Sequence, residues 1–218
     1  MKRLLILGAT RGLGALALKA FPDWEVVTKQ YDFRKPNEVL GQELLDFDGV
    51  LHCTGGGMGL RGPYIPAAGM YDIFMLNLGL AMEVNRYACI GMVEKGWGRV
   101  VHVGSIAGGE AIGSVPYNTI KAALGAYVRS FGKEMAKHGV VVAGIAPGAF
   151  IAPGGAMERL KSNHPEAYQE FVDSRLPRGK MGEGFELIPM LRLLFSEGAS
   201  MMGGSMIPID AGEGHYYS

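Results

Sequence analysis

The chain is expected to fold as a single doubly wound α/β domain, a parallel sheet of about six to seven strands with helices on both faces. Three observations predict it. Apolar runs bounded by turns recur along the whole chain, amphipathic helical stretches separate them, and a glycine-rich turn joins the first run to the first helix.

The runs are "RLLIL" (3–7), "WEVV" (24–27), "GVLHC" (49–53), "RVVHV" (99–103), "VVVAGIA" (140–146) and "SMIPI" (205–209). Being apolar throughout rather than alternating, they read as strands buried on both faces. Helices are expected over roughly 12–21, 70–95, 116–137 and 184–196. Residues 149–180, rich in Gly and Pro, break this rhythm late in the sheet. Ligands of such sheets bind beyond the carboxyl ends of the strands, so this segment is a candidate substrate lid.

Bulk properties bound the function. A chain of 218 residues, 48% hydrophobic and 19% charged, suits one globular domain over 1–218. Lys plus Arg and Asp plus Glu both number 21, so no net positive field points to nucleic acid or an anionic membrane. A small molecule is the expected partner. Cys53 and Cys89 form no CxxC pair and read as buried thiols, which suits a reducing cytoplasm. The apolar run in "MKRLLILGAT" is too short for a signal peptide, and no segment reaches membrane-spanning length. The five histidines, at 52, 102, 138, 164 and 215, show no ligand spacing, so no catalytic metal is expected.

Two motifs carry chemistry. "GATRGLG" places Gly8, Gly12 and Gly14, with Thr10, Arg11 and Leu13 between them, where a strand turns into a helix. Such a turn lets the backbone approach a pyrophosphate against the positive end of the helix dipole, the arrangement of a Rossmann-type dinucleotide site. "VPYNTIKAA" puts Tyr117 and Lys121 four apart, on one face of a helix. Tyr31 and Lys35 share that spacing, but Pro36 biases Lys35 away from helical geometry.

The glycine turn, "HCTGG", Asn77 in "MLNLG", "GRVVHVGSIAGG", "YNTIK", "GIAPG" and "GGSMIPIDAG" occur in register. In these motifs the chain resembles the classical short-chain dehydrogenase/reductase family from residue 3 to about 212. The resemblance implies hydride transfer between a nicotinamide cofactor and a small carbonyl compound or secondary alcohol. Reducing a carbonyl leaves an alkoxide that needs a proton, which Tyr117 can give. A positive charge at Lys121 favours the phenolate when the reaction runs in reverse.

By the same resemblance, Lys121 also binds the nicotinamide ribose, Ser105 holds the substrate oxygen, and Asn77 supports a water that relays protons from Lys121. Gly55 permits approach of the adenosine ribose, Asp32 and Phe33 lie beside the adenine, and Pro147 and Gly148 hold the nicotinamide end. Arg11, Thr28 and Lys29 stand where relatives preferring the phosphorylated cofactor carry basic residues and lack an acid. NADP(H) is therefore the expected cofactor, with NAD(H) the alternative.

Departures from the family pattern accompany these matches. Ser105 to Tyr117 is twelve positions, one short of the commonest spacing, which implies a trimmed loop and makes Ser114 an alternative donor. Lying just before Pro116, Ser114 reads better as a helix cap. Cys53 replaces an asparagine that braces the central strand, and Ala152 replaces a threonine at the carboxamide, leaving backbone groups after Gly148 to hold that end. The segment after the second strand is abbreviated, so the sheet edge is expected to be short and open. Gly79, Ala81, Ala88, Ala122, Ala123, Gly125 and Ala126 would let helices pack across subunits of a homodimer or homotetramer, although packing on their own sheet explains some of them. Arg61 and Arg175 could face an anionic group. The competing function is a catalytically silent dinucleotide-sensing regulator of the same fold.

Overall fold

Runs rich in Leu, Ile and Val form the strands, and a computed structural model describes them within residues 1–39 and 41–215. The strands are Lys2–Leu7 (β1), Trp24–Lys29 (β2), Gly49–His52 (β3), Gly98–Val103 (β4), Val140–Pro147 (β5), Phe150–Ile151 (β6), Gly182–Glu183 (β7) and Met206–Ile209 (β8). Six of them make one parallel sheet in the order β2-β1-β3-β4-β5-β8. The helices are Gly12–Ala17 (α1), Ala67–Phe74 (α2), Leu80–Lys95 (α3), Val115–Ala136 (α4), Ala156–Asn163 (α5), Pro165–Arg175 (α6) and Ile188–Leu194 (α7).

Alternate residues of each strand feed two cores. Leu4, Ile6, Leu51, Val101, Ala143 and Ile145 pack with Leu13 of α1 and Leu191 and Leu194 of α7. Leu5, Leu7, Val50, Val100, Val140 and Val142 face the other way, onto Leu80, Val84, Ala88 and Met92 of α3. Burial on both faces is why the strands read as continuous apolar runs. Strand order reverses about β1 and β3, and the carboxyl ends there form the crevice in which open α/β sheets bind ligands.

Some elements differ from expectation. The first helix ends at Ala17, where a turn leads into β2. The second helical stretch starts at Ala67 and contains a π-helical turn, Met75–Gly79, between α2 and α3. The last one opens as a 3-10 turn, Gly184–Leu187, held by a capping box between Glu183 and Glu186. Residues 149–180 hold α5, α6 and β6, which pairs with β7. Pro165 sits in the first turn of α6, where its missing N–H costs nothing, so proline starts this helix.

Among the described residues of 30–48 there are 3-10 turns at Pro36–Glu38 and Gly41–Leu44 and no strand, and β2 stands at the end of the sheet order. Val39, Leu44 and Phe47 are buried in the α3-side core in place of a longer excursion. Among the described residues, no helix is long and apolar enough to cross a membrane.

Candidate active site

The three glycines of the first turn answer three separate demands. Gly8 (φ +78°) approaches β3 so closely that a Cβ would stand 2.7 Å from the Cys53 carbonyl carbon. Gly12 takes φ +62°, and a Cβ on Gly14 would fall 2.2 Å from the Gly8 carbonyl oxygen. The turn is thus stripped of side chains where a pyrophosphate would approach. Leu13 is buried, and Thr10 and Arg11 are exposed at its rim. The Gly12 N–H donates to the Pro153 carbonyl at 2.6 Å, tying the turn to the 149–180 segment.

At the end of β2, Thr28 is exposed and Lys29 is ion-paired with Glu43. Lys29 is therefore not an unshared cation. The Asp32 carboxylate accepts the Arg34 N–H at 2.9 Å, and the Arg34 guanidinium lies 4.5 Å from the centre of the Phe33 ring.

Beyond β3, Gly55 adopts φ +158° with no room for a side chain, since its Cβ would stand 2.7 Å from Asn77 Oδ1 and 3.4 Å from Lys121 Nζ. Asn77 lies in the π-helical turn, a distortion common at functional sites. Its Oδ1 accepts the Gly56 N–H at 3.0 Å, and its Nδ2 donates to the carbonyls of Gly56 (3.0 Å) and Ile73 (2.9 Å). Asn77 thereby braces the loop after β3.

On α4, Lys121 is buried and donates to the Val103 carbonyl at 3.1 Å, with Nζ 5.6 Å from the centre of the Tyr117 ring. Burial pushes the ammonium down to about 8, and the nearby Cys53 opposes this. Burial likewise raises the Tyr117 phenol, against a hydrogen bond from Ser105 that lowers it. The expected downward pull of Lys121 on Tyr117 does not prevail: desolvation wins, and the Tyr117 phenol stays neutral.

Ser105 caps the 3-10 turn Ile106–Gly108, its Oγ accepting the Ala107 N–H at 3.1 Å. Even with the trimmed loop it reaches Tyr117. Ser114 occupies the N-cap position of α4, but its side chain makes no cap bond, which corrects the capping role expected of it. Asn118 pins the loop instead, accepting the Gly113 N–H at 2.9 Å and donating to the Glu110 carbonyl at 3.0 Å.

Backbone groups after Gly148 were expected to hold the end that Ala152 leaves bare, and the N–H groups at the start of this loop are engaged within the protein. Gly148 N–H donates to Ile209 (3.2 Å), and Ala149 N–H donates to the Glu213 carboxylate (2.5 Å). Ala152 itself is buried.

A buried network under the site escaped the sequence reading. His52 Nε2 donates to Asn85 Oδ1 at 2.7 Å, and Asn85 Nδ2 donates to His102 Nε2 at 3.2 Å and to the Tyr127 hydroxyl at 3.1 Å. The two imidazoles stack at 4.4 Å. Burial pushes His52 down to about 4 and His102 well below its ordinary value, so both stay neutral. The network ties β3 to β4, α3 and α4, beside the position where Cys53 stands in place of the bracing asparagine.

Residues 27–213 match the family model described as Enoyl-(Acyl carrier protein) reductase. The chain belongs to the short-chain dehydrogenase/reductase family. It is 29% identical to the 3-oxoacyl-[acyl-carrier-protein] reductase FabG of Pseudomonas aeruginosa over 65% of this chain and 56% of that protein. Levodione reductase of Leifsonia aquatica is 27% identical over 93% of this chain and 80% of its own length. The matched stretches cover 56%, 64% and 55% of FabG, a 2-dehydro-3-deoxy-L-rhamnonate dehydrogenase of Sphingomonas and the Aquifex aeolicus FabG, so the chain spans little more than half of these relatives.

Among solved structures, a levodione reductase superposes with TM-score 0.83 at 25% identity, covering 99% of this chain and 98% of that one. An actinorhodin polyketide ketoreductase variant with NADPH superposes with TM-score 0.86 at 20% identity, over 99% and 98% of the two chains, and shares the fold. In this short-chain dehydrogenase/reductase chain, Ser105, Tyr117 and Lys121 converge from β4 and α4, with Asn77 alongside around Gly55.

Proposed function

We propose that the protein is an NADP(H)-dependent oxidoreductase acting on a small carbonyl compound or secondary alcohol. The observation that carries this reading is a neutral Tyr117 phenol hydrogen-bonded to Ser105 and flanked by the buried Lys121 ammonium. The cradle fits a dinucleotide: Gly8, Gly12 and Gly14 leave the pyrophosphate side of the turn bare, and Gly55 leaves no side chain beside Lys121.

When bound, the nicotinamide cofactor supplies or accepts the hydride. Tyr117 Oη gives the proton that neutralises the developing alkoxide and takes it back in alcohol oxidation. Ser105 Oγ holds the substrate oxygen near that phenol. Lys121 lends positive charge beside Tyr117 and binds the nicotinamide ribose, while Asn77 fixes the loop around both and supports the water that relays protons from Lys121.

Thr10, Arg11 and Leu13 flank the pyrophosphate, Pro147 and Gly148 the nicotinamide, and Asp32 and Phe33 the adenine. Arg11 and Thr28 favour the phosphorylated ribose, and Lys29 adds less because Glu43 shares its charge. Residues 149–180 form the lid, strapped to the glycine turn through Pro153 and Gly12. The exposed side chains Tyr71, Phe74, Met82 and Ile90, with Ala122 and Ala126 on α4, suit assembly into a homodimer or homotetramer. Two free thiols, Cys53 and Cys89, suit a cytoplasmic setting.

A panel of ketones and alcohols assayed with both cofactors by nicotinamide absorbance tests the reading. Tyr117→Phe is expected to lower turnover roughly 10²–10⁴-fold while retaining cofactor binding. Near-normal turnover in that variant would remove Tyr117 from its role, and cofactor binding with no turnover across the panel would favour the dinucleotide sensor.

A further inference from the structure

An open cleft of about 280 Å³ lies between loop 106–114, the end of α6 and the segment after β8, with Ile112, Asp173, Arg175, Leu176, Glu213 and His215 among its walls. Its wall residue Ile112 is one residue from Gly113, which packs against the Tyr117 ring: a Cβ on Gly113 would stand 3.1 Å from Cδ1 of Tyr117. His215 N–H donates to the Glu110 carboxylate, which fastens the segment after β8 to that loop.

Glu213 is 5% exposed, and a buried carboxylate is stable only when paired and hydrogen-bonded. It accepts from Arg175 Nη2 at 2.8 Å and from Ala149 N–H at 2.5 Å. Arg175, the cation that could have met an anionic substrate, is thereby committed to Glu213, and the pair is electrically neutral. The other carboxylate of the wall, Asp173, is exposed, and Gln169 Nε2 donates to it at 2.8 Å. Among the described residues lining the cleft, one arginine thus faces two carboxylates. An anion entering here would meet like charge and an occupied guanidinium.

We propose that this cleft takes the substrate, that the substrate is an uncharged carbonyl compound or alcohol, and that Glu213 enforces this by holding Arg175, an assignment that rests on the oxidoreductase reading above. Glu213 is a specificity-determining residue that acts through Arg175. With the carboxylate removed, the guanidinium fork is released for a carboxylate on the ligand.

Ethyl acetoacetate and acetoacetate share the reacting ketone and differ in charge, which makes them the probes. Their binding is followed by NMR of the His215 ring, and turnover is followed separately by nicotinamide absorbance. In the parent protein the ester is expected to give saturable shifts and acetoacetate none at equal concentration. Glu213→Gln should move the affinity ratio toward acetoacetate by roughly tenfold or more, the scale of one charge-assisted contact. Glu213→Gln with Arg175→Met should lose that gain.

Equal or stronger binding of acetoacetate by the parent overturns the proposal, as does an unchanged ratio in a Glu213→Gln variant that melts cooperatively. Absence of His215 shifts with either probe overturns the cleft assignment. If Glu213→Gln does not fold, Glu213→Asp keeps the charge, and loss of the parent's discrimination in it overturns the role of Glu213. Binding of the ester without turnover of any ketone or alcohol in the panel sinks the oxidoreductase reading while the binding preference stands.

Discussion

Lys121 is held at a cost that pH can reveal. Burial takes its ammonium from the ordinary 10.5 to about 8. The folded state therefore binds fewer protons than the unfolded chain between these values, so the contribution to stability rises with pH through that window. Above 10.5 both states are neutral and the penalty is absent; as pH falls to 8 it develops fully. Its size is on the order of 3 kcal/mol. Denaturant unfolding of the parent and of Lys121→Met, from pH 8 to 10.5, should show the parent gaining stability relative to the variant. Parallel curves would mean that Lys121 is not desolvated in the folded protein. The Tyr117–Lys121 pair was legible because four residues of helix bring the partners together whatever the rest of the chain does. Glu213 was not: its contacts, Ala149 and Arg175, lie 64 and 38 residues away, and only the finished fold selects them. Asn85, whose imidazole partners sit on two different strands, was hidden for the same reason.

Helix α4 carries Tyr117 and Lys121, so its seat on the sheet fixes the candidate site. Gly132 makes that seat: a Cβ there would stand 2.4 Å from Gly204 N and 2.8 Å from the Val142 carbonyl oxygen, both backbone atoms that cannot turn aside. Gly125, two turns earlier on nearly the same face, has nothing within 4 Å of its Cβ position. Gly132→Ala is expected to cost about 1–3 kcal/mol through overpacking, whereas Gly125→Ala should gain roughly 0.5–1 kcal/mol from helix propensity. Thermal melts of both variants check this, and a loss at Gly125 would show that another surface covers it. Strands and long helices were legible because burial on both faces leaves unbroken apolar runs, as in "RVVHV" and "VVVAGIA". The small residues divide by face: Ala81 and Ala88 are buried, while Ala122 and Ala126 are exposed. The helices of 149–180 were obscured because α5 spans only eight residues and glycines and prolines flank or begin both.

At the scale of the whole molecule, the proposed dinucleotide site draws on segments from opposite ends of the chain. The glycine turn after β1 is bonded to Pro153, and the loop after β5 is bonded to Ile209 and Glu213. A ligand that bridges these segments binds only the folded state and must raise its stability by mass action, about 2.7 kcal/mol at a hundredfold excess over Kd. For a chain of this length that corresponds to a melting shift of roughly 5–10 °C. The cofactor preference follows from charge at the adenosine ribose, where an added phosphate needs a cation without a carboxylate beside it. Arg11 is exposed at the rim of the turn, whereas Lys29 is already paired with Glu43. NADP⁺ is accordingly expected to raise the melting temperature more than NAD⁺ at equal concentration. Arg11→Ala should remove most of that difference, and Lys29→Ala should remove less of it. A larger shift with NAD⁺, or an unchanged preference in Arg11→Ala, would assign the chain to the unphosphorylated cofactor.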